Sequence, residues 1–178
     1  VNIDKAWVPN VKGASLYIRP IIYATDEFIG VKPSSTYRFI IFCSPVNKYY
    51  DAPVKVKIEE HYTRAAAGGV GFAKTAGNYA ASLYPTKLAQ KEGFDQLIWT
   101  DAKEHKYIEE SGTMNLMVNI GGTIITPLAG DTILSGITRD TVLKIARDWG
   151  MKVEERNLSV DEVMAALHAG TLLEVFGT

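Results

Sequence analysis

Hydrophobic and polar positions divide the chain into a strand-rich first third and a second part in which strands give way to helices. Residues 15–24, 36–44 and 54–60 are rich in Tyr, Ile, Val and Phe and lie between Pro and Gly punctuation, so each predicts a strand. In the third run Val54, Val56 and Ile58 alternate with Lys55, Lys57 and Glu59, the period of a sheet with one solvated face, and the sheet is expected to be mixed. A small-residue stretch, 65–71, leads through Lys74 and Gly77 to a helix predicted over 79–91 and stopped near Gly93, which places Lys74 on the loop entering that helix. Short strands are predicted over 96–100, 106–109, 113–120 and 123–126, the last two joined by the hairpin signal Gly121-Gly122. Helical spacing of Val142, Ile145, Ala146 and Trp149 predicts a helix starting near Ile137 and stopped by Gly150. A strand over 151–156 follows, then a capping box of Ser159 and Glu162 that opens a helix ended by Gly170, then an extended run over 171–175.

Composition narrows the function classes. A chain of 178 residues, 47% hydrophobic and 22% charged, can bury a core as one domain. A net charge of −1 gives no electrostatic footprint for nucleic acid or an anionic membrane surface, so a small-molecule partner fits better. No apolar run has bilayer length, and the N-terminus lacks the basic-then-apolar pattern of a signal peptide. The single cysteine, Cys43, sits in an apolar run and is expected to be a buried, inert thiol in a reducing cytoplasmic setting. His61, His105 and His168 have no partners at metal-ligand spacing, no G-x-S-x-G elbow occurs, and Asp101 reads as a turn residue ending a strand.

The stretch from Arg64 to Tyr79 concentrates the candidate chemistry, because its glycines allow backbone to approach a ligand beside one lysine. Gly68 to Thr75 nearly fits the phosphate-cradling pattern G-x-x-x-x-G-K-[ST], but Ala73 replaces the final glycine and Gly77-Asn78 interrupts the helix that should follow. The alternative is a Schiff-base lysine held on a glycine-rich loop, with Tyr79 and the carboxylates Glu109 and Glu110 further along.

Six ordered motifs carry a resemblance. Lys74-x-x-Gly77-Asn78-Tyr79, Glu110-Ser111-Gly112-Thr113-Met114-Asn115 and Leu134-Ser135-Gly136-Ile137-Thr138-Arg139 match signatures of branched-chain amino acid aminotransferases. Tyr17-Ile18-Arg19-Pro20, Ser44-Pro45-Val46 and Glu174-Val175-Phe176-Gly177 agree as well, so the chain resembles that family, among the fold-type IV pyridoxal-phosphate enzymes, over nearly its whole length. The resemblance implies an α/β mixed-sheet pseudobarrel with flanking helices, the large domain of the D-amino-acid and branched-chain aminotransferase type. Residues 1–14 would be a linker remnant and 15–178 the cofactor-binding domain, shortened at its C-terminus and without the family's small N-terminal domain.

It further implies that Lys74 forms the Schiff base with pyridoxal 5'-phosphate and then shuttles a proton. Glu110 would pair with the pyridine nitrogen and Tyr79 with the phenolic oxygen, Ile137 and Thr138 at a helix N-terminus would take the phosphate, and Arg64 would line the site. Thr113 and Tyr49 would lie near the substrate, with Tyr50 the alternative to Tyr49. On a regular strand Glu109 and Glu110 face opposite sides, so Glu109 is expected to be the solvated partner. The implied reaction is transamination of leucine, isoleucine or valine with 2-oxoglutarate to give glutamate, in a homodimer, with no metal. Another fold-type IV activity, such as a D-amino acid aminotransferase or aminodeoxychorismate lyase, and a non-catalytic, self-associating domain are the alternatives, and residues 1–178 alone are expected to lack useful turnover.

Overall fold

A computed structural model describes residues 2–48 and 52–178, which fall into two compact units, Val1–Pro53 and Val54–Thr178. The first unit holds a 3-10 turn, Lys5–Trp7, and an antiparallel pair, β1 (Ser15–Ala24) and β2 (Tyr37–Val46), in register from Ser15 opposite Val46 to Ala24 opposite Tyr37. Pro20 and Pro45 are tolerated because each strand of a two-stranded ribbon has an unpaired edge. Asp26 closes the connection by accepting from the Ser35 and Thr36 N–H groups and the Thr36 hydroxyl. Those donors hold its carboxyl down at about 2. Cys43 is half-buried here, short of the full burial expected, because a two-stranded ribbon lacks the layers to enclose it.

The second unit is a mixed seven-stranded sheet with three helices. Its strands are β3 (Val56–Ile58), β4 (Gln96–Thr100), β5 (Ile108–Ser111), β6 (Met114–Ile120), β7 (Thr123–Thr126), β8 (Lys152–Glu155) and β9 (Leu172–Gly177). They lie in the order β3 to β8 with β9 on β6; β3–β4 and β7–β8 are parallel and the other pairs antiparallel. The helices are α1 (Ala76–Lys91), α2 (Ile137–Asp148) and α3 (Val160–His168).

Both faces of the central strands are buried, which is why their sequence reads as a continuous apolar run. Leu116 and Val118 of β6 join Ile98, Ile108, Ile125, Leu158 and Val163 in one cluster that includes α3, whereas Met117 joins Ile124 with Leu143 and Ala146 of α2. Leu97 and Trp99 of β4 pack with Ala89 of α1. Local signals hold where expected: Ser159 Oγ accepts from Glu162 N–H at 3.1 Å, and Gly121 and Gly122 turn the β6–β7 hairpin with φ of +57° and +87°. Arg139 is buried and joins α2 to β8 through the Pro127 carbonyl and Glu155, both at 2.9 Å. Among the described residues no helix is long and apolar enough to cross a membrane, and no group of His, Cys, Asp and Glu is placed to hold a metal ion.

Candidate active site

Three segments of the second unit converge on one cleft. The first is the loop over residues 59–75, between β3 and α1. It opens with the Glu59 carboxylate accepting from His61 and Tyr62 N–H at 2.9 Å, and it lies against residues 131–132 through Phe72 N–H to the Asp131 carbonyl and an Arg64 guanidinium bond to the Thr132 carbonyl. A Cβ at Gly71 would meet Ala65 Cβ at 2.6 Å and the Asp131 carbonyl at 2.7 Å, so only glycine permits this approach. Asn78, buried in the first turn of α1, reaches back with Nδ2 to the Val70 and Ala73 carbonyls at 2.8 and 3.0 Å. The backbone next to Lys74 is thereby fixed while the lysine itself stays exposed. The loop is longer and differently tied than a strand-to-helix phosphate cradle, which removes the nucleotide-binding alternative.

The second segment is β5. Between the pairs Ile98–Ser111 and Thr100–Ile108, Glu109 and Glu110 together oppose the single residue Trp99, which is a β-bulge. The expectation that Glu109 is solvated on the opposite face to Glu110 is therefore corrected: the extra residue breaks the alternation, and Glu109 is only 7% exposed, Glu110 3%. Glu110 Oε1 accepts from Leu134 N–H at 2.8 Å and Asn115 Nδ2 at 3.3 Å, and its Oε2 lies 3.3 Å from the Arg64 guanidinium, itself buried. Burial pushes the Glu110 carboxyl above its usual range, and Arg64, the Leu134 N–H and Lys74 only partly offset that.

The third segment is the N-terminus of α2, capped by Gly136 with no side chain accepting from its first N–H groups. Gly136 touches Asn115: a Cβ there would stand 2.1 Å from Asn115 Oδ1. Asn115 also donates Nδ2 to the Leu134 carbonyl at 2.7 Å and exchanges backbone hydrogen bonds with Thr178 at 3.1 and 2.9 Å. One buried asparagine thus ties the strand, the helix entry and the last residue of β9's run together.

Lys74, Glu110, Thr113, Ile137 and Thr138 line the resulting cavity of about 550 Å³, together with Thr178. Arg64 and Tyr79 line a narrow recess that shares Glu110, Thr113 and Leu134 with it. Tyr49 lies outside the described residues, as does Tyr50. Sequence reasoning gave no role to Asn78, Asn115 or Thr178, although each lies in or beside a quoted motif; the signal was a polar residue where the pattern called for an apolar one, most plainly Asn115 before Leu116-Met117-Val118. His105 is satisfied by the Thr100 hydroxyl at 2.8 Å, and Asp101 accepts four backbone N–H groups as a turn residue does.

The cavity has the size of a small-molecule site. It presents a primary amine, a buried carboxylate and a helix N-terminus whose free N–H groups and dipole favour an anion.

Comparison with known proteins bears on this donor set. Residues 2–177 match the model of the family described as amino-transferase class IV. The chain is 50% identical over 181 residues to branched-chain-amino-acid aminotransferase 2 of Bacillus subtilis (strain 168), covering all of this chain and 50% of that protein. Branched-chain-amino-acid transaminase 1 of the same organism is also 50% identical, over 182 residues, with 51% of its length covered. Among solved structures, a branched-chain aminotransferase from Thermoproteus uzoniensis with norvaline superposes with a TM-score of 0.80 at 28% identity, over 92% of this chain and 53% of that one. The T.th. branched-chain amino acid aminotransferase with pyridoxamine 5'-phosphate gives 0.78 at 27% identity, with 92% and 53% covered. The chain spans about half the length of these relatives.

Proposed function

Because the chain belongs to the amino-transferase class IV family, we propose that it is the cofactor-binding large domain of a pyridoxal-phosphate transaminase that moves the amino group of leucine, isoleucine or valine to 2-oxoglutarate. The observation that carries the reading is the convergence of the Lys74 amine, the buried Glu110 carboxylate and the uncapped α2 N-terminus on one cleft. These three fit the aldehyde, the ring nitrogen and the phosphate of pyridoxal 5'-phosphate, one to one. The norvaline and pyridoxamine 5'-phosphate found with two relatives agree with the same reading.

When bound, that cofactor supplies an electron-accepting ring that stabilises negative charge developing at the amino acid Cα. The chain's own residues do the rest. The first N–H groups of α2, at Ile137 and Thr138, hold the phosphate with the helix dipole behind them. The Glu110 carboxylate, fixed by Leu134 N–H, Asn115 and Arg64, keeps a proton on the pyridine nitrogen. Lys74 would hold the cofactor through its amine, and the same Nζ would take the proton from Cα; a primary amine is the one side chain suited to both tasks. The Tyr79 hydroxyl would bond the phenolic oxygen, and Thr113, on the cavity lining, would border the substrate. Two copies associate as a homodimer, and the enzyme is cytoplasmic.

The test is glutamate formation from 2-oxoglutarate by a protein of the relatives' full length carrying this chain. L-Leucine, L-isoleucine and L-valine should all serve as donors, and Lys74→Ala should abolish the exchange. Amino transfer from D-amino acids alone would move the assignment to a D-amino acid aminotransferase, and activity surviving in Lys74→Ala would overturn the mechanism.

A further inference from the structure

Glu109 has no part in that mechanism, yet it is buried like Glu110 and Arg64 beside it. The bulge sets it beside Glu110, and both carboxyls feel the charge of the one Arg64 guanidinium. The two are satisfied very differently. Glu110 meets three donors, from Leu134, Asn115 and Arg64, as an ionised acceptor requires. Glu109 meets the Thr132 hydroxyl, and its buried Oε2 has no hydrogen-bond partner. Arg64 is itself spread between the Thr132 carbonyl and Glu110, with its buried Nε unused. One guanidinium cannot neutralise two adjacent buried carboxylates, and a second uncompensated charge in such a place is expelled by taking up a proton.

We propose that Glu109 is a positioning residue that carries the proton of this two-carboxyl, one-guanidinium cluster, leaving Glu110 as the ionised member that faces the cofactor. The charged groups around Glu109 are Arg64 from the 59–75 loop, Glu110 along its own strand and Asp101 from the turn after β4, with Lys74 acting on Glu110. Burial pushes both carboxyls up; the Asp101 charge adds to that at Glu109 and the Glu109 charge at Glu110, so the two are separated by their partners, three donors at Glu110 against the Thr132 hydroxyl and an unpartnered Oε2 at Glu109. While Glu109 is neutral, Arg64 is committed to Glu110. Once Glu109 ionises at higher pH it competes for the same guanidinium, and Glu110 loses its fixed orientation toward the ring. That last consequence rests on the transaminase reading; the location of the proton does not.

The experiment is infrared spectroscopy on protein with ¹³C-carboxyl-labelled glutamate, paired with thermal melts over a pH series, with and without pyridoxal phosphate. The sign follows from proton binding. Between the unfolded value and its raised folded value, Glu109 binds more protons in the native state, so stability falls as pH rises through the folded value. Above the pH at which ordinary carboxylates ionise, the cofactor-free protein should show a protonated-carboxyl band that is lost in Glu109→Gln, and Glu109→Gln should lose the fall in melting temperature over the pH range in which that band disappears. Glu110→Gln should retain both the band and that fall. No protonated-carboxyl band in the parent above that pH, or loss of the band and the fall in Glu110→Gln in place of Glu109→Gln, would overturn the assignment. Failure of pyridoxal phosphate to bind would count against the transaminase reading and leave the cofactor-free result to stand by itself.

Discussion

Gly136→Ala is a single added methyl whose effect can be worked from the structure. The new Cβ would lie 2.1 Å from Asn115 Oδ1, 3.4 Å from its Cγ and 3.6 Å from Arg139 Cβ. Asn115 cannot simply rotate away, because its Nδ2 is bonded to the Leu134 carbonyl and it is only 6% exposed. Forcing the methyl in costs about 1–3 kcal/mol as overpacking, and displacing the amide gives up roughly 1 kcal/mol of hydrogen bonding. The backbone adds no strain, since φ at Gly136 is −71°. A stiffer unfolded chain returns about 0.4–1 kcal/mol. The net is a loss of about 2 kcal/mol, or about 4–8 °C in melting midpoint for a chain of this size. Moving Asn115 or the helix entry also shifts the α2 N–H groups, so affinity for pyridoxal phosphate and for free phosphate should fall together. Scanning calorimetry and a phosphate competition titration read the two effects. Gly77→Ala is the matched control: it sits in α1 with nothing within 4 Å of the new Cβ, and alanine there should stabilise the cofactor-free protein by about 0.5–1 kcal/mol. Unchanged stability and phosphate affinity in Gly136→Ala would refute the close-contact argument.

Asn78→Ala removes both side-chain bonds to the Val70 and Ala73 carbonyls and should cost about 2 kcal/mol at roughly 1 kcal/mol each; urea unfolding measures this, and the yield of cofactor attached at Lys74 should drop with it. Asp101 accepts four backbone N–H groups; burial pushes its carboxyl up, but those donors outweigh it and hold it below its usual value. In the window between its folded and unfolded values the unfolded chain binds more protons, so stability is lost as pH falls through it, and Asp101→Asn should flatten the acid limb of a melting-temperature profile.

Much of this architecture is legible in the sequence, and the departures have local causes. The strand predicted over 106–109 begins instead at Ile108, because the Lys106 and Tyr107 N–H groups are taken by the Asp101 carboxylate and cannot join the ladder. Helix α1 starts at Ala76, three residues before the predicted 79, since Asn78 spends its side chain on the preceding loop and leaves its backbone to the helix. The third strand shrinks to Val56–Ile58 at the edge of its sheet, where a single neighbour, β4, holds it. The bulge that buries Glu109 depends on the register of β5 against β4, a non-local pairing that alternation along one strand cannot reveal. Lys74 and the α2 entry stand out because each pairs a chemical group with glycines, whereas Arg64, Glu110 and Thr113 are picked out by the resemblance of their motifs to the family's. The asparagines that position them could not be given partners from sequence, because those partners are backbone carbonyls of other segments of the chain.

The central claim is that Lys74 is the residue that takes the cofactor. It is tested most directly by incubating the protein with pyridoxal phosphate, fixing the adduct with borohydride and mapping it by peptide mass spectrometry. One dominant adduct is expected, on Lys74, suppressed by excess phosphate present before the reduction and absent in Lys74→Ala. Adducts spread over several surface lysines, or a dominant one that survives Lys74→Ala, would contradict it.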